Sequence, residues 1–559
     1  MAENVLQLLM DAFQHSPPFG GSFARRFTRY SGLFFDEFSA DSAWMRETAV
    51  IRLPPMADVD AVVLKGRFLA HPQATGPEAG FPTLEILLDG ASVARVCATA
   101  PGPWEARVAL ERVSARKGSV LFFTLHGCGL TNALAWLGRV TRLGPLQRYR
   151  AQNRNRQLRL DAIDSASGAR IYDFSRRESP YSTAFARTHS RTGMNIVGFL
   201  TADLGIGESA RCMVRSADAA SLPTALVPLK LNCRNRMGDL TYAGRLQDTN
   251  PYGANVFHID PPVARDIDHH HGAGFRKDHY NIGYFAWELA EFPDAWMPSL
   301  DYFDEIWCPS DFVRESIALK ALYPVLTMPH SIGFERPAGD PAVLRARFGL
   351  PAGRLLYLCL FDLNSYSARK NPRGVIEAFR MSGLAADRAC LVVKVQNADA
   401  NPGDFAALQE AVRDIPGTVI ISETLSRADV YALESACDCF VSLHRSEGFG
   451  LAVAECMYLG KPVISTNWSA TAEYVSRDNG FPVDYALVEL TESHGPYAKG
   501  ASWAEPDLAH ASELMRRVAS DPAGAARIGA AARRTIEARF APSVIGERYK
   551  RRLEAIASL

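Results

Sequence analysis

The stretch HRSEGFGLAVAECMYLGKPVIS, His444 to Ser465, sets two carboxylates, Glu447 and Glu455, with seven residues between them. The turn Gly448-Phe449-Gly450-Leu451 follows the first, and an apolar run with helical spacing carries the second. Glycines let backbone N–H groups come close to an anion, and a helix N-terminus adds partial positive charge at the same place. If the segment is helical throughout, eight steps advance about 12 Å. That exceeds the roughly 5–10 Å between two carboxylates flanking one glycosidic bond. The spacing instead predicts an elongated ligand such as a nucleotide sugar, with its sugar near Glu447 and its ribose near Glu455.

Around this stretch, apolar strands alternate with helical segments. RLLYLCLFDLN, LVVKVQ, GTVIIS, CFVSLHR and KPVIST read as the strands of one βαβ series, and NIVGFLT, TALVPL, NVFHI, NIGYFAW, EIWCPS and PVLTMPH as those of an earlier one. This pattern predicts two parallel, doubly wound sheets. Residues 331–352 (SIGFERPAGDPAVLRARFGLP) join them.

On these residues the chain resembles the family 4 retaining glycosyltransferases, whose signature is E-x7-E and whose fold is GT-B: two Rossmann-like domains facing a cleft. The resemblance runs from Met194 to the C-terminus. It implies a first Rossmann-like, acceptor-side domain over 194–337 and a donor domain over 338–540. A last helix, 541–559, is implied to return to the first domain. It also implies that Glu447 acts beside the donor sugar, that Glu455 contacts the ribose, and that Gly448 and Gly450 contact the diphosphate. Phe449 and Leu451 complete that cradle.

In FDLNSYSARKNP, Phe361 to Pro372, the family carries an Arg and a Lys facing the diphosphate. Lys370 matches the Lys. The Arg position falls near Asp362, a departure, and Arg369 is the available replacement. Cations are needed here because the leaving diphosphate gains negative charge as the glycosidic bond breaks. No metal or other cofactor is expected. Lys394 in LVVKVQ and Glu423 after GTVIIS are further donor-side candidates, the second for the base; an edge lysine with its head in solvent is the competing reading of Lys394.

DLGIGESAR, Asp203 to Arg211, matches G-x-G-x-x-G/A at Gly205, Gly207 and Ala210. An NAD site would place an acidic residue about 20 positions on, where Leu229 and Lys230 stand. The resemblance implies that this loop faces the donor phosphate or the acceptor, with Gly205 and Gly207 as donor-binding candidates and a purely structural tight turn as the alternative. His258, at a strand end, corresponds to a family His near the donor sugar and is a catalytic candidate, with a structural His as the alternative. Trp287 and Glu288 pair an aromatic with a carboxylate at another strand end, as for sugar or acceptor contact, with plain packing as the alternative. Adjacent His269, His270 and His271 rarely converge on one ion, and no metal site is assigned to them.

Residues 31–173 read as an all-β sandwich. WEARVAL alternates cleanly, SVLFFTLHG is a strand, and LEILL-DG-ASVARV is a hairpin whose Asp89-Gly90 suits a tight turn. Similar modules precede some bacterial polysaccharide glycosyltransferases. Residues 1–30 hold a mildly amphipathic segment, 174–193 a polar linker, and 142–160 an arginine-rich connector.

The 559 residues exceed what one core can organise. Formal net charge is zero, so nucleic acid is not an expected partner. Ten cysteines lack metal spacing, and Cys437 and Cys439 sit in an apolar strand, as suits a reducing cytoplasm. No run is long and apolar enough for a membrane span. The expectation is a cytoplasmic, retaining hexosyltransferase moving a hexose or deoxyhexose such as mannose from a nucleoside diphosphate sugar to a bacterial surface polysaccharide or lipid-linked glycan. Peripheral contact with the inner membrane is left open. A nucleotide-sugar epimerase on the same fold and a non-catalytic sugar-binding protein are the alternatives.

Overall fold

The computed structural model describes residues 30–34, 43–53, 59–68, 83–88, 91–97, 99–110, 119–126, 158–173 and, apart from 234, 273, 277, 278, 301 and 319–324, residues 193–557. The amphipathic segment before residue 30, the hairpin turn Asp89-Gly90, the arginine-rich stretch up to residue 157 and the linker 174–192 lie outside these.

The N-terminal region contributes β1 (Tyr30–Phe34), β2 (Ala43–Arg52), β3 (Ala61–Phe68), β4 (Thr83–Leu88), β5 (Ala91–Cys97), β6 (Gly102–Ala109), β7 (Val120–His126), β8 (Leu158–Ser165) and β9 (Arg170–Asp173). They hydrogen-bond into one antiparallel sheet of order β5-β4-β7-β2-β8-β3-β6, with β1 on β2 and β9 on β8. All-β character is therefore observed, and the described strands form one hydrogen-bonded path whose end strands, β5 and β6, come together, so the sheet folds over on itself and agrees in part with the expected sandwich. The period-2 alternation is real: in β6, Trp104, Ala106 and Val108 are buried and Glu105 and Arg107 exposed. Glu85 opposite Arg95 forms a cross-strand ion pair at 2.9 Å.

The first lobe begins with β10 (Met194–Gly198), followed by helix α1 (Gly205–Ala219), β11 (Thr224–Pro228), β12 (Ala254–His258), β13 (Tyr280–Tyr284), β14 (Glu305–Cys308), helix α2 (Asp311–Ala318) and β15 (Val325–Thr327). Its parallel sheet has the order β11-β10-β12-β13-β14-β15. The second lobe contains β16 (Leu355–Asp362), α3 (Pro372–Ser382), β17 (Ala389–Gln396), β18 (Val419–Ile421), α4 (Arg427–Ala436), β19 (Cys439–Ser442), α5 (Leu451–Tyr458), β20 (Val463–Thr466) and β21 (Phe481–Val483), in the order β18-β17-β16-β19-β20-β21. Every strand of the two sheets except β21 overlaps a run marked as a strand from sequence. β10 to β15 are buried end to end except at the rim of β11, as expected for strands covered on both faces.

In each lobe the chain first winds one way and then reverses. The reversal lies between β10 and β12 in the first sheet, and between β16 and β19 in the second. The carboxyl ends of the strands flanking such a reversal open a crevice, where α/β folds bind ligands.

The last helix, α6 (Pro542–Ala557), packs on α1 of the first lobe. Gly546 makes the close approach possible, since a Cβ there would stand 2.0 Å from the Ser216 carbonyl oxygen. Tyr549 stacks on Trp307 at 5.4 Å. Arg552 forks onto Glu305, which also accepts from Tyr280 Oη at 3.0 Å and Trp307 Nε1 at 2.5 Å. Glu305 is 0% and Arg552 4% exposed.

Removing one partner of such a pair strands a charge in the interior. Arg552→Ala is expected to lower stability by about 3–5 kcal/mol, read from the denaturant midpoint, whereas Arg551→Ala, on the exposed side of the same helix, stays within about 0.5 kcal/mol of wild type.

Candidate functional site

The second lobe's crevice is lined by the loop after β16 and the segment after β19. Tyr366 (φ 61°) and Asn371 (φ 52°) both adopt the left-handed conformation and bracket the short turn Ser367–Lys370. Such backbone costs of order 1 kcal/mol per residue and persists where neighbours hold it. Here Asn371 Nδ2 donates to the Leu443 carbonyl (3.0 Å), its Oδ1 caps α3 at Gly374 N–H (3.1 Å), and Arg445 N–H donates to the Arg369 carbonyl (2.8 Å). The turn is thereby tied to the strand end that carries Glu447.

Glu447 is 8% exposed. Its Oε1 accepts from Lys370 Nζ at 2.5 Å, and Arg369 Nη1 lies 3.3 Å from Oε2. Burial alone would raise its pKa; Lys370 and Arg369 outweigh that and hold it at about 2. Arg369, 4% exposed, also donates to the Ser446 carbonyl (2.9 Å) and faces the Tyr497 ring at 5.8 Å. Across the crevice Glu288 of the first lobe stands 3.6 Å from Arg369 and accepts from Tyr497 Oη at 3.0 Å. Arg369, Lys370, Glu447 and Glu288 are therefore one cluster shared by both lobes. Tyr497 comes from the excursion between β22 (Tyr485–Glu489) and β23 (Ser502–Pro506), a hairpin with no motif to announce it.

The glycine turn joins the lobes at a second point. Ser310 Oγ donates to the Gly448 carbonyl at 2.7 Å, and Glu473 accepts from the N–H groups of Asp311 and Phe312 at the start of α2 (3.1 and 2.7 Å). Gly450 has φ +86°, and a Cβ there would meet Thr471 Cγ2 at 2.6 Å, so glycine is required on both counts. Phe449 points into the core against His330, Tyr474 and Phe540. Among the described residues, no hydrogen bond inside the chain uses the N–H groups of Gly448, Phe449, Gly450 or Leu451. Nearby, Ser367 Oγ, Arg369 Nε, His444 Nδ1 and Ser446 Oγ are buried without a partner. Buried polar groups are normally satisfied, so this concentration marks a place built for a polar ligand or ordered water.

Two expectations need correction, on the helical rise and on His258, and Glu455 has a partner of its own. Glu447 lies before α5, which starts at Leu451, so the helical rise does not measure its separation from Glu455. Glu455, 3% exposed, is already engaged by Arg427 of α4 and sits in a second cluster, away from Lys370. His258 is 0% exposed and does not reach the crevice: Nδ1 pairs with Ser209 Oγ (2.9 Å), Nε2 lies 3.3 Å from Met213 Sδ, and the ring stacks on Tyr284. Burial pushes its pKa well down, and it serves as a neutral packing group.

Of the remaining candidates, Gly205 opens α1 in free space. Gly207 lets α1 pack, because a Cβ would lie 2.7 Å from the Ala202 and Phe199 carbonyl oxygens. Trp287 is packed against Trp296 and Tyr497 and donates to the Glu291 carbonyl (2.8 Å). Lys394, 2% exposed, donates to the Val395 carbonyl (2.8 Å); burial lowers its pKa to about 8. Glu423 is exposed past the end of β18. These two lie at the ends of β17 and β18, beyond the β16–β19 reversal, and neither bonds to the described residues of the Glu447 cluster. Asp362 caps its own turn at Asn364 N–H. His271 accepts from Lys230 N–H, and among the described residues no group of three His, Cys, Asp or Glu could hold a metal ion. No described helix is long and apolar enough to cross a membrane.

Residues 358–535 match the family model for glycosyl transferases group 1. The matched residues lie within the second lobe. Human alpha-1,3/1,6-mannosyltransferase ALG2 is 23% identical over 202 residues, 34% of this chain and 44% of the relative, so the chain spans less than half of that curated protein. Among solved structures, the chain is similar to Anabaena Alr3699/HepE in complex with UDP and glucose (TM-score 0.49, 13% identity, covering 65% of this chain and 100% of that one). It is also similar to sucrose-phosphate synthase from Thermosynechococcus elongatus (TM-score 0.48, 14% identity, 66% and 99%).

The matched region's buried carboxylate has a pH signature. Glu447 is held at about 2, below its ordinary 4.5. Its contribution to stability is therefore complete above about pH 4.5 and lost as pH falls toward 2. Lys370→Met removes the nearest cation and raises the folded-state value, so loss begins at higher pH. The acid-unfolding midpoint, followed by circular dichroism, is expected to move upward relative to wild type.

Proposed function

We propose that this protein is a retaining glycosyltransferase that moves a hexose or deoxyhexose from a nucleoside diphosphate sugar to a glycan or lipid-linked glycan, of the kind found in bacterial surface polysaccharides. The observation that carries the proposal is the Arg369–Lys370–Glu447 cluster at the second lobe's chain reversal, beside unused N–H groups and facing Glu288. The group 1 domain match over the same residues supports it.

In this reading the diphosphate lies against the N–H groups of Gly448 to Leu451 and the cations Arg369 and Lys370. Charge grows on the leaving phosphate as the sugar–oxygen bond breaks, and fixed cations in a water-poor crevice stabilise that charge more than they stabilise the bound donor. The same reading assigns the sugar hydroxyls to Glu447, the ribose to Glu455 and the acceptor to Glu288 and Trp287. The leaving phosphate takes the acceptor hydroxyl's proton, and the new bond forms on the face from which the old one departs, so the chain's own residues position and stabilise without a covalent intermediate. Contacts between the lobes through Ser310 and Glu473 exclude water, which would otherwise hydrolyse the donor.

An assay with nucleoside diphosphate sugars and glycan acceptors tests this. Glu447→Gln is expected to lower turnover by at least about 100-fold while leaving nucleoside diphosphate affinity within about threefold. Glu455→Ala is expected to weaken that affinity. Wild-type activity in both variants rejects the assignment, and donor conversion without any acceptor identifies an epimerase instead.

A further inference from the structure

Arg427, Tyr431 and Glu434 fall on one face of α4, at positions i, i+4 and i+7. Tyr431 and Glu434 are buried there, and Arg427 reaches Glu455 of α5. Arg427 Nη2 donates to Glu455 Oε1 and to Tyr431 Oη (3.0 Å), and its guanidinium lies 4.7 Å from the Tyr431 ring centre. Arg427 Nε is 3.8 Å from Glu208 Oε2 in α1 of the first lobe. Glu208 is otherwise held by Arg211 at 2.9 Å and Arg215 at 2.6 Å. Arg427 therefore stands between one carboxylate from each lobe.

Its position is that of an outermost member. The side chains of Glu208 and Glu455 are 5% and 4% exposed, while that of Arg427 keeps 33%. Arg427 Nε makes no hydrogen bond, and both oxygens of Glu434, itself 1% exposed, are without one. The network is thus incompletely satisfied around its most exposed arginine. Glu455 cannot give Oε1 to a ribose hydroxyl while the guanidinium holds that oxygen.

Resting on the reading that Glu455 receives the donor's ribose, we propose that Arg427 is a gate at the nucleoside end of the site: it occupies Glu455 when no donor is bound, and the ribose hydroxyls of a nucleoside diphosphate displace it. Arg427 is then a specificity-determining residue. It penalises every ligand that approaches Glu455, and only a ligand bearing the vicinal hydroxyls recovers that loss.

Titration calorimetry with UDP, GDP and ADP, and with the 2′,3′-dideoxy form of whichever binds best, tests the gate. Arg427→Ala is expected to bind the ribonucleotide roughly tenfold tighter, the equivalent of one charge-assisted hydrogen bond no longer displaced. The dideoxy form should gain nothing. Arg427→Lys, which keeps the charge but cannot fork, is expected to show the same selectivity at smaller size, and it carries the test if the alanine variant does not fold. Equal gains for both nucleotides, no gain, or weaker binding overturns the gate alone. Failure of the wild type to bind any of the three nucleotides overturns the donor-site reading, and the gate with it.

Discussion

Glu447 can stay ionised between the lobes only because Lys370 and Arg369 stand beside it. An isolated carboxylate in that position would shed its charge by taking a proton, since desolvation is its largest perturbation. The surrounding architecture keeps those two cations in place. The left-handed residues Tyr366 and Asn371 turn Ser367–Lys370 inward, and the side chain of Asn371 and the backbone of Arg445 hold that turn against the strand end bearing Glu447. Arg369 in turn faces Glu288 of the first lobe, so one electrostatic requirement couples the local backbone to the meeting of the lobes.

The same logic recurs at the other acidic residue. Glu455 and Glu208 lie on helices of different lobes, and Arg427 lies between them. The interface is therefore held by two ionic clusters, with Gly448 and Glu473 adding hydrogen bonds to the first lobe. A buried ion pair adds little net stability compared with an apolar contact of similar shape. It is, however, sensitive to any ligand that offers competing charges or hydroxyls. An interface assembled this way suits a cleft that must respond to what enters it.

The sheets were readable from sequence because their strands are buried on both faces and appear as apolar runs such as NIVGF and LLYLCLF, separated by helical periods. The turn at Gly448 to Gly450 was readable because close approach of backbone demands glycine. Tyr497, Glu473 and Arg427 were not, since their importance arises from contacts across more than 25 positions of sequence. His258 misled because a histidine at a strand end looks the same from sequence whether its ring turns toward the crevice or, as here, into Ser209 and Tyr284. Alternation in the N-terminal strands reported which faces are buried, but not the order in which the strands pair.

The polypeptide passes between the lobes twice, and the two passages touch. Ile332 N–H donates to the Phe540 carbonyl at 2.7 Å, and Gly333 lies so near Pro542 that a Cβ would stand 2.6 Å from its ring. One covalent tether would let the halves swivel in any direction. Two strands bonded side by side act as a pair of door pins: they favour rotation about a single line and resist twisting across it. Opening and shutting would then retrace one path, returning Gly448 to Ser310 and Arg427 to Glu208 in the same register on each cycle.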